Sequence, residues 1–465
     1  MLVFHATPGF DFVNWDDGLY VKNNPCVHQP EKCSLKTQIL TPYLGYPAPL
    51  TIASYRAEAV IGGPDALTTH IINLLLHILI VLIVFLVLQG LTKNTLMALI
   101  GASLFMVHPV SAEVVGWASD RKELLCVLFS LLSVLAYKKG VSLRGLFLAM
   151  LLWVLAVMAK PTALILFVTY PVMDLVDRRI SLKRLAFYVA AVIIAIADIS
   201  ITTHFESKMG AITAHPDIFV SIKETLISAF VHAKIILWPM IHLPKYLEAP
   251  NPPWWKPVTG GIILLTMSAL TIWALKKKSP ARLWWLAAVA LYIPVSGIIP
   301  LSRRFSDSYC YPPLLFFLIG LIVVISKASR RIRIYAMILM GLLVFAWSAM
   351  TAQELGKWKN GVRLWSIMYQ QYPDSPQVCR NLGNAFISGR KPRPDMAVKT
   401  YERCMAMPGP SENRDFYMKN LGIALIMDKQ PHAAVRVLSD FLKRHPGDPK
   451  AGKYLRIAKG LIHGP

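Results

Sequence analysis

Charge is what this sequence has little of: 16% of its 465 residues are charged and 55% are hydrophobic. That balance excludes an ordinary water-soluble domain and reads as a polytopic membrane chain followed by a further domain. Acidic residues are scarcer still, 26 against 49 lysines and arginines, for a net charge of +23. The basic excess sits mostly in short loops between apolar runs. This is the cytoplasmic-loop bias of membrane proteins rather than a nucleic-acid footprint, and no nucleic-acid partner is expected. No charged N-terminal region leads into an apolar core and a small-residue cleavage site, so no cleavable signal peptide is read. Metal-ligand spacing is missing as well. Mid-span polar groups are limited to Asp198, His77 and a few others, and the two halves show no repeat symmetry, which sets a transporter aside. Cysteines number six. Cys26 and Cys33 share one polar loop, and Cys379 and Cys404 share the C-terminal region. Each pair is either a disulfide, if its region faces an oxidising compartment, or two free thiols. Cys126 reads as packing.

Residues 1–65 form the first region. Pro42, Pro47, Pro49 and Pro64 interrupt any long helix there and leave loops and short interfacial helices. A membrane domain over 66–356 follows, with ten apolar spans expected at 68–89, 95–107, 123–137, 144–158, 162–176, 185–203, 258–275, 283–299, 313–326 and 334–352. Several fall short of the roughly 20 residues of a bilayer core and must extend into flanking sequence or sit in thinned membrane. Lys138-Lys139, Arg178-Arg179 with Lys183-Arg184, Lys276-Lys277-Lys278, and Arg330-Arg331 with Arg333 mark cytoplasmic loops. Ten spans with those loops inside place 1–65, 108–122, 159–161, 204–257, 300–312 and everything after 352 on the outer side. The stretch 222–242 is apolar enough for another span, but counting it would carry Lys276-Lys277-Lys278 outside. It is read as a helix lying at the outer interface within segment 204–257, with Trp238, Trp254 and Trp255 as anchors. An external N-terminus ahead of ten spans lacks the first span that would carry it out. The chain is therefore expected to begin late, or to move its N-terminal segment across by another route.

Residues 357–465 change character. Asn381-Leu382-Gly383-Asn384-Ala385 recurs 39 residues on as Asn420-Leu421-Gly422-Ile423-Ala424. Ala397, Tyr401 and Pro408 follow the first copy, and Ala434 and Pro446 follow the second. This is the pattern of tetratricopeptide (TPR) helix pairs, stretched beyond 34 residues by an insertion near Pro392-Arg393-Pro394. Trp365 to Pro373 is an earlier half-unit. So few units imply that the domain leans on the membrane part or on a partner. It holds 19 basic and 8 acidic residues, which serve either solubility or docking of an acidic protein partner or lipid surface.

Asp16 and Asp17 stand side by side in the aromatic stretch from Gly9 to Tyr20. Adjacent like charges repel, so one of them belongs where water, a cation or a substrate proton offsets the repulsion. The pair suits a general base that takes a proton from a hydroxyl at the membrane surface, or else a solvated Asp-Asp-Gly turn. At the outer ends of spans stand His108-Pro109, Glu113, Trp117, Asp120, Arg121 and Glu123, then Lys160-Pro161, then Arg303, Arg304, Asp307, Tyr309 and Tyr311. His70, Asn73 and His77 share one helix face. Four cations, Arg121, Lys160, Arg303 and Arg304, beside several carboxylates suit a lipid-borne phosphate or pyrophosphate. In the plainer reading, Arg121 pairs with Glu113 or Asp120, Arg303 and Arg304 touch lipid head groups, and His77 packs.

Phe12…Trp15-Asp16-Asp17…Asn24-Pro25, Tyr55-Arg56, His70…Asn73…His77, His108-Pro109…Glu113…Trp117…Arg121, Lys160 and Asp307…Tyr309…Tyr311…Pro313 together resemble the polytopic GT-C glycosyltransferases. Within them, the chain is similar to the transmembrane-and-TPR protein O-mannosyltransferases and their bacterial relatives. It departs from their pattern in having Tyr55-Arg56-Ala57, Lys160-Pro161 and Asp307-Ser308-Tyr309. The resemblance implies an all-α fold, a transmembrane helix bundle followed by a small TPR domain. It implies an inverting transfer from a polyprenyl-phosphate-linked sugar to a hydroxyl of a protein or glycolipid. No cofactor is required, and a divalent cation is optional. Asp16 is then the base and Asp17 the second carboxylate. Arg121, Lys160 or the Arg303–Arg304 pair contacts donor phosphate, with His108, Glu113, Asp307 and Tyr309 lining the substrate site. The resemblance places the protein in a membrane, read as a bacterial inner membrane, with active site and repeats extracytoplasmic. The alternative is a non-catalytic membrane scaffold whose repeats recruit envelope or secreted proteins.

Overall fold

The computed structural model describes residues 2–29, 31, 33–139, 142–208, 217–239, 243, 246, 252–299, 303–408 and 411–462. Among these the chain is helical almost throughout. The exception is a two-residue hairpin, Pro42–Tyr43 with Tyr46–Pro47. Leu44 and Gly45 both take positive φ there, 54° and 103°, the combination that a tight two-residue hairpin turn demands and that glycine supplies without strain.

Two compact units emerge. The first comprises Met1–Pro8 and Leu19–Gly356, and the second Gly9–Gly18 and Lys357–Pro465. Against the expected division at 65/66 and 356/357, residues 9–18 group with the C-terminal repeats and the first region is not separate from the membrane helices. The remainder of the N-terminal region packs on the membrane helices.

In the first unit, α1 (Pro25–His28), α2 (Leu35–Leu40) and α3 (Pro49–Ile61) precede the apolar helices. Then come α4 (Ala66–Thr92), α5 (Thr95–Met106), α6 (Ser111–Gly116), α7 (Arg121–Lys139), α8 (Leu143–Ala159), α9 (Thr169–Asp177) and α10 (Leu182–Lys208). They are followed by α11 (Ile218–Leu237), α12 (Trp255–Lys276), α13 (Arg282–Tyr292), α14 (Asp307–Ser326) and α15 (Arg330–Leu355). Short polar side chains start the helices where the sequence offers them. Asp65 accepts from Thr68 N at α4, Asn94 from Met97 N at α5, Ser142 from Gly145 N at α8, and Ser329 from Ile332 N at α15, each satisfying an amide that the helix leaves unpaired.

Among the described residues, five helices, α4, α10, α12, α14 and α15, are long and apolar enough to cross a membrane, and α5, α8 and the stretch Arg282–Val295 are shorter apolar helices. These eight coincide with expected spans. Of the other two, 123–137 lies in α7, and 162–176 is split between a 3-10 stretch, Pro161–Val168, and α9. Pro161 removes an amide donor at the start, and the chain winds tightly before the α-helix resumes. Burial sorts the helices further. α7 and α14 are buried on nearly every side, among Trp153, Trp284, Phe105 and Tyr311. By contrast α10, α12 and α15 expose Ile193, Ile196, Leu265, Leu342 and Phe345. Apolar faces left open on long helices require a lipid solvent, so the first unit is a multi-pass membrane body. Trp238, Trp254 and Trp255 flank α11 and α12 and stand exposed. Residues 209–216, 240–242, 244–245 and 247–251 of the segment 204–257 lie outside the described residues.

The second unit stacks α16 (Gly361–Gln371), α17 (Pro376–Ser388), α18 (Pro394–Met405), α19 (Ser411–Met427), α20 (Pro431–Arg444) and α21 (Pro449–Ile462), each against the next. The expected repeat positions are its seams. A Cβ on Gly383 would sit 2.6 Å from the ring of Tyr401, and one on Gly422 would sit 2.5 Å from Leu438. Ala397, Tyr401, Ala434 and Leu438 are fully buried. Cys379 and Cys404 form a disulfide across α17 and α18, and Cys26 and Cys33 form another in the first unit. Cys126 and Cys310 are free and buried. Gly383→Ala and Gly422→Ala are each expected to destabilise the repeats by about 1–3 kcal/mol through overpacking. Earlier proteolytic cleavage within 376–444 on heating is the measurement, and unchanged resistance in both variants would contradict this account of the seams.

Candidate active site

In the membrane body, α3, the start of α4, α6, the 3-10 turn Ala118–Asp120, the start of α7, the end of α8 and the start of α14 carry an ionic layer. Arg121, fully buried, is its most enclosed member. Its Nη2 is paired with Glu58 at 2.5 Å. Its Nε donates to Asn73 Oδ1 at 2.7 Å and Nη2 to the Thr69 carbonyl at 3.0 Å. The guanidinium lies over the Tyr55 ring at 4.3 Å. Thr69 donates to Glu58 at 2.5 Å, and Asn73 and Tyr55 both donate to the Ala118 carbonyl. Burial pushes the Glu58 carboxyl above its ordinary range in spite of Arg121. Arg121 thus ties α3 and α4 to α7, and its partner is Glu58 rather than Glu113 or Asp120. The sequence did carry a signal for Glu58. It stands three residues after Tyr55, so the aromatic and the acid share a helix face.

A second group is contiguous with the first in sequence. Arg303 forks onto Glu113, with Nη1 at 2.8 Å from Oε1 and Nη2 at 3.2 Å from Oε2. Ser306 donates to the same carboxylate at 2.7 Å, and Trp117 lies under the guanidinium at 5.5 Å. Lys160 is ion-paired with Glu123 and sits 5.1 Å over the ring of Tyr309. Lys122, which the sequence reading passed over, has its ammonium 4.5 Å from the Tyr20 ring and 5.1 Å from that of Trp117. Tyr246 donates to Asp307 at 2.6 Å. Burial raises the Glu113 carboxyl, against the pull of Arg303. Burial disfavours charge on Lys160 and Arg303 too, but Glu123 and Glu113 respectively reverse the effect and hold both above their ordinary values.

Asp120 is the exception in this layer. It is buried, and its Oδ2 has no hydrogen-bond partner among the described residues. Burial pushes its carboxyl up to about 7; Lys122 opposes this, while Glu123 and Glu113 add to it.

Glu113, Lys160, Arg303, Asp307 and Tyr309 are therefore brought together. Arg304 turns to an ion pair with Glu224 on α11. His108 is used up structurally: Nδ1 accepts from Val110 N at 3.2 Å, Nε2 donates to the Ile236 carbonyl at 3.1 Å, and Trp347 meets the ring edge-on. His77 packs as the plainer reading holds, with Nδ1 2.7 Å from the Tyr311 hydroxyl and Nε2 3.1 Å from the Met106 carbonyl. Among the described residues, no group of three or more His, Cys, Asp or Glu is placed to hold a metal ion.

Asp16 and Asp17 belong to the repeat unit. Asp17 is buried and accepts from the Val13 amide at 2.8 Å, closing the turn between them. Asp16 is half-buried. The two carboxylates thus differ: Asp17 is buried and closes the turn, and Asp16 is half-buried.

Comparison with known proteins follows the same line. The chain is 32% identical over 119 residues to the protein O-mannosyl-transferase Tmtc1 of Drosophila melanogaster. It is 34% identical over 107 residues to tmtc2 of Xenopus laevis, and 38% identical over 106 residues to TMTC4 of Homo sapiens, both of the same printed name. The chain is similar to the protein O-mannosyl-transferases. The matched stretches cover 25%, 23% and 20% of this chain and 14%, 13% and 14% of those proteins, so the chain spans about a seventh of the length of the relatives it matches. No family model and no solved structure matches.

Two outcomes follow from the ionic layer. Removing one member of a buried ion pair strands the other, at a cost of roughly 3–5 kcal/mol. Arg121→Ala and Glu58→Ala are each expected to lower the melting temperature of the detergent-solubilised chain. The double variant should fall no lower than the worse single, and additive losses would refute the pairing. For Asp120, folding favours the protonated form. Stability from this group is complete below the unfolded value of about 4 and is lost as pH rises through about 7. Asp120→Asn is expected to melt above wild type at pH 8, with the difference vanishing toward acid pH.

Proposed function

We propose that the protein is an inverting glycosyltransferase of the outer membrane face, moving a hexose of the mannose type from a polyprenyl phosphate to a hydroxyl on a polypeptide. The observation that carries this reading is the division of labour in the aspartate pair. Asp17 holds the turn through Val13, and Asp16 stands half-buried beside it. Similarity to proteins named protein O-mannosyl-transferases supports the sugar and the protein acceptor.

In the reaction, the Asp16 carboxylate takes the proton of the acceptor hydroxyl. The hydroxyl oxygen forms a bond to the anomeric carbon from the face opposite the lipid phosphate. The bond from that carbon to the phosphate oxygen breaks, and the polyprenyl phosphate departs with the electron pair. Its growing negative charge calls for cations held in fixed directions. Within the membrane body, Lys160 and Arg303 are cations of that kind, each aimed by a carboxylate and backed by an aromatic ring. Arg121 is assigned to structure instead. The outer sidedness is supported by the two disulfides, one near the aspartate loop in sequence and one in the repeats, since such bonds persist in oxidising compartments. It is supported equally by the lysine- and arginine-rich loops that call for the opposite face.

Loss of a general base lowers turnover by about 10²–10⁴-fold. Asp16→Asn is expected to lose transfer from a polyprenyl-phosphate mannose to a Ser/Thr-bearing polypeptide by that factor while inserting and melting as wild type does. Near-normal turnover in that variant would remove Asp16 from the role.

A further inference from the structure

The segment that carries Asp16 is built into the repeats. The Asp11 amide donates to the Lys359 carbonyl at 2.9 Å. Asn14 Nδ2 donates to the Asn381 carbonyl at 2.8 Å. The indole of Trp15 is stacked on Trp358, 6.5 Å between centroids and 11° between planes, and tilted against the buried Trp365 at 5.1 Å. Asp11 also lies 3.2 Å from Arg390. The fit is close: a Cβ on Gly361, the first residue of α16, would stand 2.1 Å from Asn14 Oδ1. Asn381 opens the Asn-Leu-Gly signature of α17.

We infer that α16 and α17 are the positioning element of the catalytic loop, with Asn14 and Trp15 fixing the direction in which Asp16 is presented. The inference rests on the reading of Asp16 as the base. Asp16 stands directly between the Trp15 wedge and the braced Asp17, so both neighbours are held and the residue between them has little freedom. An indole between two tryptophans resists rotation, and the Asn14 amide fixes the height of the loop against α17. The first helix pair is on this account part of the active site rather than an appended docking module. Asn14 and Trp15 act through Asp16 and touch neither donor nor acceptor.

The test uses the full chain in detergent or nanodiscs, with wild type, Asn14→Ala, Trp15→Ala, Trp15→Phe and Asp16→Asn. Three quantities are read: kcat, KM for the polyprenyl-phosphate sugar, and amide hydrogen exchange of residues 9–18. Misplacing a reacting group by about an ångström costs up to about 10²-fold. Asn14→Ala and Trp15→Ala are expected to lose about ten- to hundredfold in kcat with donor KM unchanged, and to exchange their loop amides faster. Trp15→Phe, which keeps a ring in the slot, should restore most of the rate. Unchanged kcat in a Trp15→Ala chain whose loop amides have lost protection would overturn the inference, as would loop protection that no variant alters. Wild-type turnover in Asp16→Asn would instead sink the base assignment, which separates the two failures.

Discussion

The pairing of buried cations with buried carboxylates is the constraint that the ionic layer of the membrane body obeys. An isolated charge taken out of water carries a penalty of several kcal/mol, and only a partner at contact distance offsets it. Arg121 meets it with Glu58, Arg303 with Glu113 and Lys160 with Glu123. Acids are rare in this chain, and three of them are placed where a cation has been drawn out of water. Each pair bridges separate elements, so the ionic layer holds α3 to α7, α6 to the segment before α14, and α7 to the end of α8.

The layer also shapes the chemistry proposed for it. A cation aimed by a carboxylate and backed by an aromatic face has a fixed direction, so charge developing nearby requires little reorganisation. Arg303 over Trp117 and Lys160 over Tyr309 are arranged in this way. Arg121 is also aimed, with Nε engaged by Asn73 and Nη2 by Glu58 and the Thr69 carbonyl. Its role is to fix the helices that carry the others. Asp120 stands apart as the carboxyl whose Oδ2 lacks a hydrogen-bond partner among the described residues, and burial keeps it largely uncharged up to neutrality.

The repeats have a double character. Their seams follow the helix-pair rule, with glycine on one helix admitting a large side chain from the next. The first helix pair also receives a segment from the far end of the chain, through one side-chain amide, one backbone bond and a wedge of three tryptophans. The aspartate pair is thereby attached to a body that the order of the sequence would not assign it to.

Taken alone, the sequence determined the helical class, the positions of the apolar runs, and the register of the repeats down to Gly383 and Gly422. These depend on periodicity, which operates within a few residues. It also placed Glu113, Lys160, Arg303, Asp307 and Tyr309 at or beside the ends of helices. Only the tertiary structure decided that Glu58 holds Arg121, that Arg304 turns to Glu224, that Asp17 closes the turn through Val13, and that residues 9–18 join the repeats. An ion pair or an aromatic wedge between segments distant in sequence leaves no periodic trace. Which carboxylate a buried cation meets depends on how the helices cross, and the local pattern is the same for each choice.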